Sequence, residues 1–345
     1  MKRRTTRRTC LCGAAVLLTG CLGACGSSAE PSGAPPLIGI DTPRTDSDFW
    51  KAYAKYVRLE SAGQGLNMLP PTDSNGDEAT FTANIQSLAA RHPKAIVMAP
   101  QNTRTLRPLL DSLGNQRIRA ISVDTEPEGG EVYMVVRADN RAYGSKACEF
   151  LGQQLRGKGK VAELQGSLSS INGYERSDGF AVCMKRNFPG IEVIELATEW
   201  KGDVASAKLQ STLAANPDLG GVYLQAGGVF LQPTLALLQQ KGLLKPPGQP
   251  GHITIVSNDG IPAELDAIRK GQIDATVSQP ADLYAKYALM YARAAAAGKT
   301  FQPGPTDHQS TIKALANGLE DELPAPLVTK DNVDDKTLWG NSLYG

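Results

Sequence analysis

From residue 37 onward, short apolar runs alternate along the chain with segments whose apolar residues fall at helical spacing. Runs at 37–40, 67–69, 95–98 and 120–123 have the length and continuity of strands buried between helices. Between them the spacing changes. Tyr53, Tyr56 and Val57 share one face behind Phe49-Trp50, Phe81, Ile85 and Leu88 share one face of 79–90, and 106–113 forms a third helix. Strands and helices joined by short connections predict a doubly wound, mostly parallel sheet.

The stretch 118–142 interrupts this alternation. Its strand ends in an acid, Asp124, and a Gly129-Gly130 turn leads into a second apolar run at 132–136. Asp139-Asn140 then caps a helix over 143–155. Such a crossover is expected where a chain leaves one α/β lobe for another. It places Asp124 in the crevice at strand C-termini, where open α/β sheets bind ligands. The pattern then restarts, with strands expected at 161–164, 192–197, 221–224, 253–256 and 274–277 and helices at 173–188, 204–216, 230–241 and 283–297. The last two strands end in polar clusters, Asn258-Asp259-Gly260 and Ser278-Gln279-Pro280. Two α/β lobes of similar make-up, joined by several crossings, are predicted.

Composition narrows the function classes. The 345 residues are enough for two domains, and 41% hydrophobic with 21% charged residues is a globular composition. A net charge of +1, with no basic stripe in the body of the chain, gives no footprint for nucleic acid. The dense basic run, Lys2 to Arg8, precedes an apolar segment at 11–18 that is too short to span a membrane, so 1–20 reads as a signal peptide. The cysteine after Leu18-Thr19-Gly20 resembles a bacterial lipoprotein lipobox, which makes Cys21 the expected lipidation site and Cys25 the alternative. Thr6-Arg7-Arg8 also resembles a twin-arginine export signal, and the export route stays open. Residues 21–36, rich in Ser, Pro and Gly, then form a flexible tether. The mature chain is expected on the outer face of the cytoplasmic membrane, touching it through the lipid anchor only. Cys148 and Cys183 remain in the folded body, either as a disulfide or as two buried thiols.

Catalytic signatures are missing from the sequence. It contains no HExxH or GxSxG motif, its GxxxxGK stretch at 152–158 is followed by Gly159 where a phosphate loop needs Ser or Thr, its three histidines are scattered, and Gly157-Lys158-Gly159 lacks the third glycine of a dinucleotide loop. No catalytic set, metal site or cofactor is expected. A glycoside-acting enzyme using Asp124 and Asp259 as a carboxylate pair is the less favoured alternative.

The order and spacing of several fragments resemble the type I periplasmic sugar-binding proteins, in their ribose-binding-like branch. In the first half these are Ile38-Gly39-Ile40, Asp48-Phe49-Trp50, Ser122-Val123-Asp124 and Asp139-Asn140-x-x-x-Gly144. In the second half they are Arg176-Ser177-Asp178-Gly179, Asn216-Pro217-Asp218, Asn258-Asp259-Gly260 and Thr276-Val277-Ser278-Gln279. The resemblance runs from about residue 37 to about residue 310. It implies two Rossmann-like lobes with parallel sheets on a three-segment hinge, 37–138 plus 280–306 and 139–279 plus 307–345, closing over a small solute. It also implies a monomer that delivers a small carbohydrate to the permease of an ABC importer, or else reports it to a membrane sensor.

By the same resemblance, Phe49, Trp50 and Trp200 supply aromatic faces for a sugar ring, and Asp124, Arg176, Asp259 and Gln279 supply the hydroxyl-binding edge. Asp139 reads as cap and hinge, and Trp339 as half-exposed packing in the tail. This chain also departs from the family pattern. Asparagines used by ribose binders fall on Ala99, on Ala226 or Gly227, and on Ser47 or Asp48. Losing these partners argues against ribose itself. Arg44, Arg137 and Gln101 lie in the same loops and are placed to compensate, although Arg44 reads first as a solvated arginine paired with a surface acid. Arg137, beside the hinge, points to an acidic ligand, the alternative being an arginine paired with a surface acid.

Overall fold

The computed structural model describes residues 35–342. The expected signal peptide, most of the tether, and both candidate lipidation cysteines, Cys21 and Cys25, lie outside the described residues. The first lobe opens with β1 (Leu37–Thr42), α1 (Asp48–Gly63), β2 (Asn67–Met68), β3 (Thr72–Asp73) and α2 (Glu78–Ala89). It continues through β4 (Ala95–Met98), α3 (Arg107–Asn115), β5 (Arg119–Val123) and β6 (Met134–Ala138). The second lobe runs through α4 (Asn140–Gln154), β7 (Gly159–Gln165), α5 (Ile171–Asn187), β8 (Ile191–Ala197) and α6 (Gly202–Ala215). Then come β9 (Leu219–Leu224), α7 (Gly227–Gln240), β10 (Thr254–Asp259), α8 (Pro262–Arg269) and β11 (Ala275–Ser278). The chain ends with α9 (Ala281–Ala296), β12 (Gly304–Pro305), β13 (Thr311–Leu315), β14 (Gly318–Leu323), β15 (Leu327–Thr329) and α10 (Trp339–Ser342).

These strands form two sheets. The first has the order β12-β13-β14-β6-β5-β4-β1-β2, with β3 beside β1, and the second β15-β11-β10-β9-β7-β8. Pairing is parallel from β2 to β14 and from β8 to β11, while β12, β13 and β15 add antiparallel edges. Every residue of β4, β6 and β11 is buried, as a parallel strand covered on both faces must be. The first sheet packs α1 and α9 on one face and α2 and α3 on the other, and each face carries its own apolar cluster. The chain passes between the sheets between β6 and α4, between β11 and α9, and between β14 and β15.

The tail departs from expectation. The segment 307–345 was assigned to the second lobe, yet β13 and β14 extend the first sheet beside β6, and only β15 joins the second. These edge strands are charged, and Glu320 and Asp321 of β14 are buried, so no apolar run marks them. Their acids find partners instead. Asp321 accepts from Tyr291 Oη at 3.0 Å and from His308 Nε2 at 2.9 Å.

α4 and α5 carry much of the family motif, and packing explains why. A Cβ on Gly144 would run into the backbone of Arg176, and one on Gly179 into the backbone of Arg141. The two helices therefore cross at glycines. One turn further along each, Cys148 and Cys183 meet in a disulfide. Asp139 caps α4, accepting from Ala142 N at 2.9 Å.

Candidate functional site

The strand C-termini of the two lobes face each other across a cavity of about 50 Å³. Its lining includes Phe49, Trp50, Asp124, Arg176, Trp200, Asp259 and Gln279, together with Arg44 and Gln101. Arg176 lies at its centre and is 3% exposed. Its Nε donates to Asn140 Oδ1 at 2.7 Å, its Nη1 to the Gln225 carbonyl at 2.5 Å, and its Nη2 to Gln279 Oε1 at 2.6 Å. The guanidinium also lies 5.1 Å from the Tyr143 ring centroid and 5.8 Å from that of Trp200. Both distances are within cation–π range.

Asp124 reaches across the cleft from β5. It accepts from Asn172 Nδ2 at 2.7 Å and from the hinge residue Gln279 Nε2 at 2.8 Å. Asp259, at the end of β10, accepts from the Gly228 backbone N–H at 2.7 Å, at the start of α7. Both aspartates sit at positive φ, 67° and 121°, where the strand must turn sharply to aim the carboxylate into the crevice. Burial pushes the Asp124 carboxyl upward against the opposing charges of Arg176 and Arg137. Burial likewise raises Asp259 against Arg176. Behind it, the buried Glu264 carboxyl is raised by burial and by repulsion from Asp259.

The aromatic walls are built differently on the two sides. Trp200 follows Glu199 in a loop where both residues have positive φ, and its ring lies against Gly166, where a Cβ would collide with it. Phe49 and Trp50 open α1 and are buried edge-to-face, with ring centroids 5.1 Å apart. Trp339 is not half-exposed packing. It is buried against Phe49, and its indole Nε1 donates to the Asp259 carbonyl at 3.2 Å, so the tail buttresses the site.

Arg137 does not line the cavity. Its guanidinium is 3% exposed and paired with Glu175, Glu126 and Glu320, carboxylates contributed by three separate segments. The cation beside the hinge is neutralised where it stands, which removes its reason to select an acidic ligand. Sequence reasoning passed over Asn172 and Ser170 in the lining, while Ser47, which stands where ribose binders use an asparagine, does line it. Asn172 Oδ1 is buried with no hydrogen-bond partner among the described residues. It lies in the first turn of α5, just after a Gly/Ser-rich loop, and only the fold shows that this turn reaches Asp124. Among the described residues, no group of histidines, cysteines and acids is arranged to hold a metal ion.

The model of the periplasmic binding protein domain matches residues 38–300. This chain belongs to the periplasmic binding protein family. Among curated relatives of this family, the xylitol-binding protein of Mycolicibacterium smegmatis is 26% identical over 263 residues, 76% of this chain and 68% of that one. The ribose import binding protein of Bacillus subtilis is 23% identical over 270 residues, 77% of this chain and 83% of its own. Solved periplasmic binding proteins share the fold. A carbohydrate transporter solute-binding protein from Agrobacterium radiobacter, in complex with D-arabinose, superposes with a TM-score of 0.77 at 18% identity, covering 90% of this chain and 99% of that one. An ABC transporter solute-binding protein from Mycobacterium smegmatis with bound glycerol gives 0.74 at 24% identity, covering 86% and 95%.

Proposed function

We propose that this chain captures a neutral monosaccharide or polyol between its lobes and hands it to an ABC importer. The observation that carries this reading is the Arg176 fork. It faces Asp124 and Asp259, with Trp200 and Phe49/Trp50 around the same cavity. A sugar offers hydroxyls at its rim and apolar C–H faces, and this site offers a bidentate donor, carboxylate acceptors and rings to meet them. Arg176, Asp124, Asp259, Gln279, Trp200, Phe49 and Trp50 are the proposed contacts. Arg137 is left out because its charge is already spent on three glutamates. Curated relatives named for xylitol, ribose and allose support the ligand class, and relatives named as import binding proteins support the transport role.

We place the protein outside the cytoplasm as a monomer, anchored through Cys21 or, alternatively, Cys25. The disulfide between Cys148 and Cys183 suits an oxidising compartment. Among the described residues, no helix is long and apolar enough to cross a membrane.

A thermal-shift screen against neutral sugars, polyols and sugar acids tests the reading. A ligand at a hundred times its Kd adds about 2.7 kcal/mol of stability, which is readily seen. Stabilisation by one or more neutral sugars or polyols is expected. Stabilisation by sugar acids alone would overturn the neutral-ligand assignment, and silence across the whole panel would overturn the carbohydrate assignment.

A further inference from the structure

A second, larger cavity opens off the first. It measures about 600 Å³, within the roughly 300–1,000 Å³ typical of small-molecule sites, whereas the inner cavity of about 50 Å³ is the space left with the lobes drawn together and must widen as they part to admit a sugar. The two are continuous, since Arg44, Gln101 and Trp200 line both. The outer cavity runs from the mouth of the cleft into the groove between α2 and α3. Its floor is apolar: Phe81, Leu106 and Leu109 are 5%, 5% and 9% exposed. Its rim is polar and carries four carboxylates, Asp46, Asp77, Glu78 and Glu199, against two cations, Arg44 and Lys201. Arg44 is already paired with Asp46, at 2.5 Å.

We propose that this groove is a second subsite, and that the preferred ligand is a glycoside whose sugar occupies the inner cavity and whose uncharged or basic substituent runs out past Trp200 onto the floor of Phe81, Leu106 and Leu109. The inference rests on the carbohydrate reading of the inner site and goes beyond it. Geometry supplies the direction, because Trp200, Arg44 and Gln101 border both spaces and so mark where a ligand passes from one to the other. Chemistry supplies the class, because an apolar floor rewards an alkyl, aryl or second-sugar face while the surplus of carboxylates repels an anionic one. The outer groove draws lining residues from both lobes, Ser167 and Ser169 among them, so a long ligand adds contacts across the cleft and favours closure.

Isothermal titration of the full chain with each stabilising monosaccharide, and with its methyl and phenyl glycosides, tests the proposal. At least tenfold tighter binding of the phenyl glycoside than of the free sugar is expected. Thr82→Trp on α2 fills the groove without touching the inner cavity. It should abolish that gain while leaving the affinity for the free sugar within twofold. Ser112→Trp on α3 does the same from the opposite wall and serves should the first variant melt early. The proposal is overturned if the glycosides bind no tighter than the free sugar, or if the groove variants weaken both ligands equally. Absence of binding by free sugars and glycosides alike would instead overturn the carbohydrate reading of the inner site.

Discussion

At the scale of single residues, the site depends on how few groups satisfy one another. Arg176 spends its fork on Asn140, Gln225 and Gln279, and each bond is buried. Arg176→Lys keeps the charge and loses the planar fork, so at least about a tenfold loss of affinity is expected by calorimetry. Asp259→Ala should abolish measurable binding while the far-UV spectrum and cooperative melting persist, and unchanged affinity would remove Asp259 from the site.

Glu163 gives a separate test through pH. It is fully buried beneath Gln225, and burial pushes its carboxyl up to about 8. The folded state therefore holds a proton that the unfolded chain, with an ordinary glutamate, releases near pH 4.5. Stability from this group is fully present below about pH 4.5 and is lost as the pH rises towards 8. Glu163→Gln should flatten that decline, raising stability by on the order of 1 kcal/mol at pH 8 with little change at pH 4.5. Parallel melting curves for the two proteins across that range would contradict the assignment. The strand-end residues Asp124, Asp259 and Gln279 were legible in the sequence because each closes an apolar run. The environment of Arg137 was not, because its partners Glu126, Glu175 and Glu320 come from distant parts of the chain.

At the scale of elements, the α4–α5 pair sets the position of Arg176. Glycines at the crossing allow close approach, and the disulfide one turn further on fixes it. Reduction, or Cys148→Ser with Cys183→Ser, should cost about 2–4 kcal/mol in chemical denaturation. No loss would mean that the helices hold without the bridge. The sequence left thiol and disulfide equally open because only the crossing brings the two positions together. Gly166→Ala should push the Trp200 ring from its seat and weaken binding severalfold, with little change in melting temperature. Strand–helix alternation was readable through most of both sheets, since parallel strands are continuous apolar runs, but the short α8 between β10 and β11 was not expected. β12 to β14 were not readable, since a Gly-Pro pair, a strand with a central lysine and a strand with three consecutive acids carry no apolar run.

At the scale of the whole molecule, the lobes are drawn together. Asp124 of the first lobe meets Asn172 of the second, Arg137 meets Glu175, and Arg44 meets the Trp200 carbonyl at 3.4 Å. The Asp124–Asn172 bond ties together two groups that line the cavity, so a ligand that takes their place requires the lobes to part. Glu175→Gln removes an ion pair between lobes while leaving Arg137 its two other carboxylates. The ligand-free variant should populate the open form more, seen as a larger radius of gyration in solution scattering. An unchanged radius would show that the pair does not hold the lobes together.

The most direct measurement uses the chain's own tryptophans. Trp50 and Trp200 both line the cavity, so a captured sugar must change their surroundings. Titration with the stabilising sugar, followed by intrinsic fluorescence, should give a saturable change that is lost in Arg176→Lys and reduced in Trp200→Leu. A folded protein whose emission no sugar or polyol alters would contradict capture of a carbohydrate between the lobes.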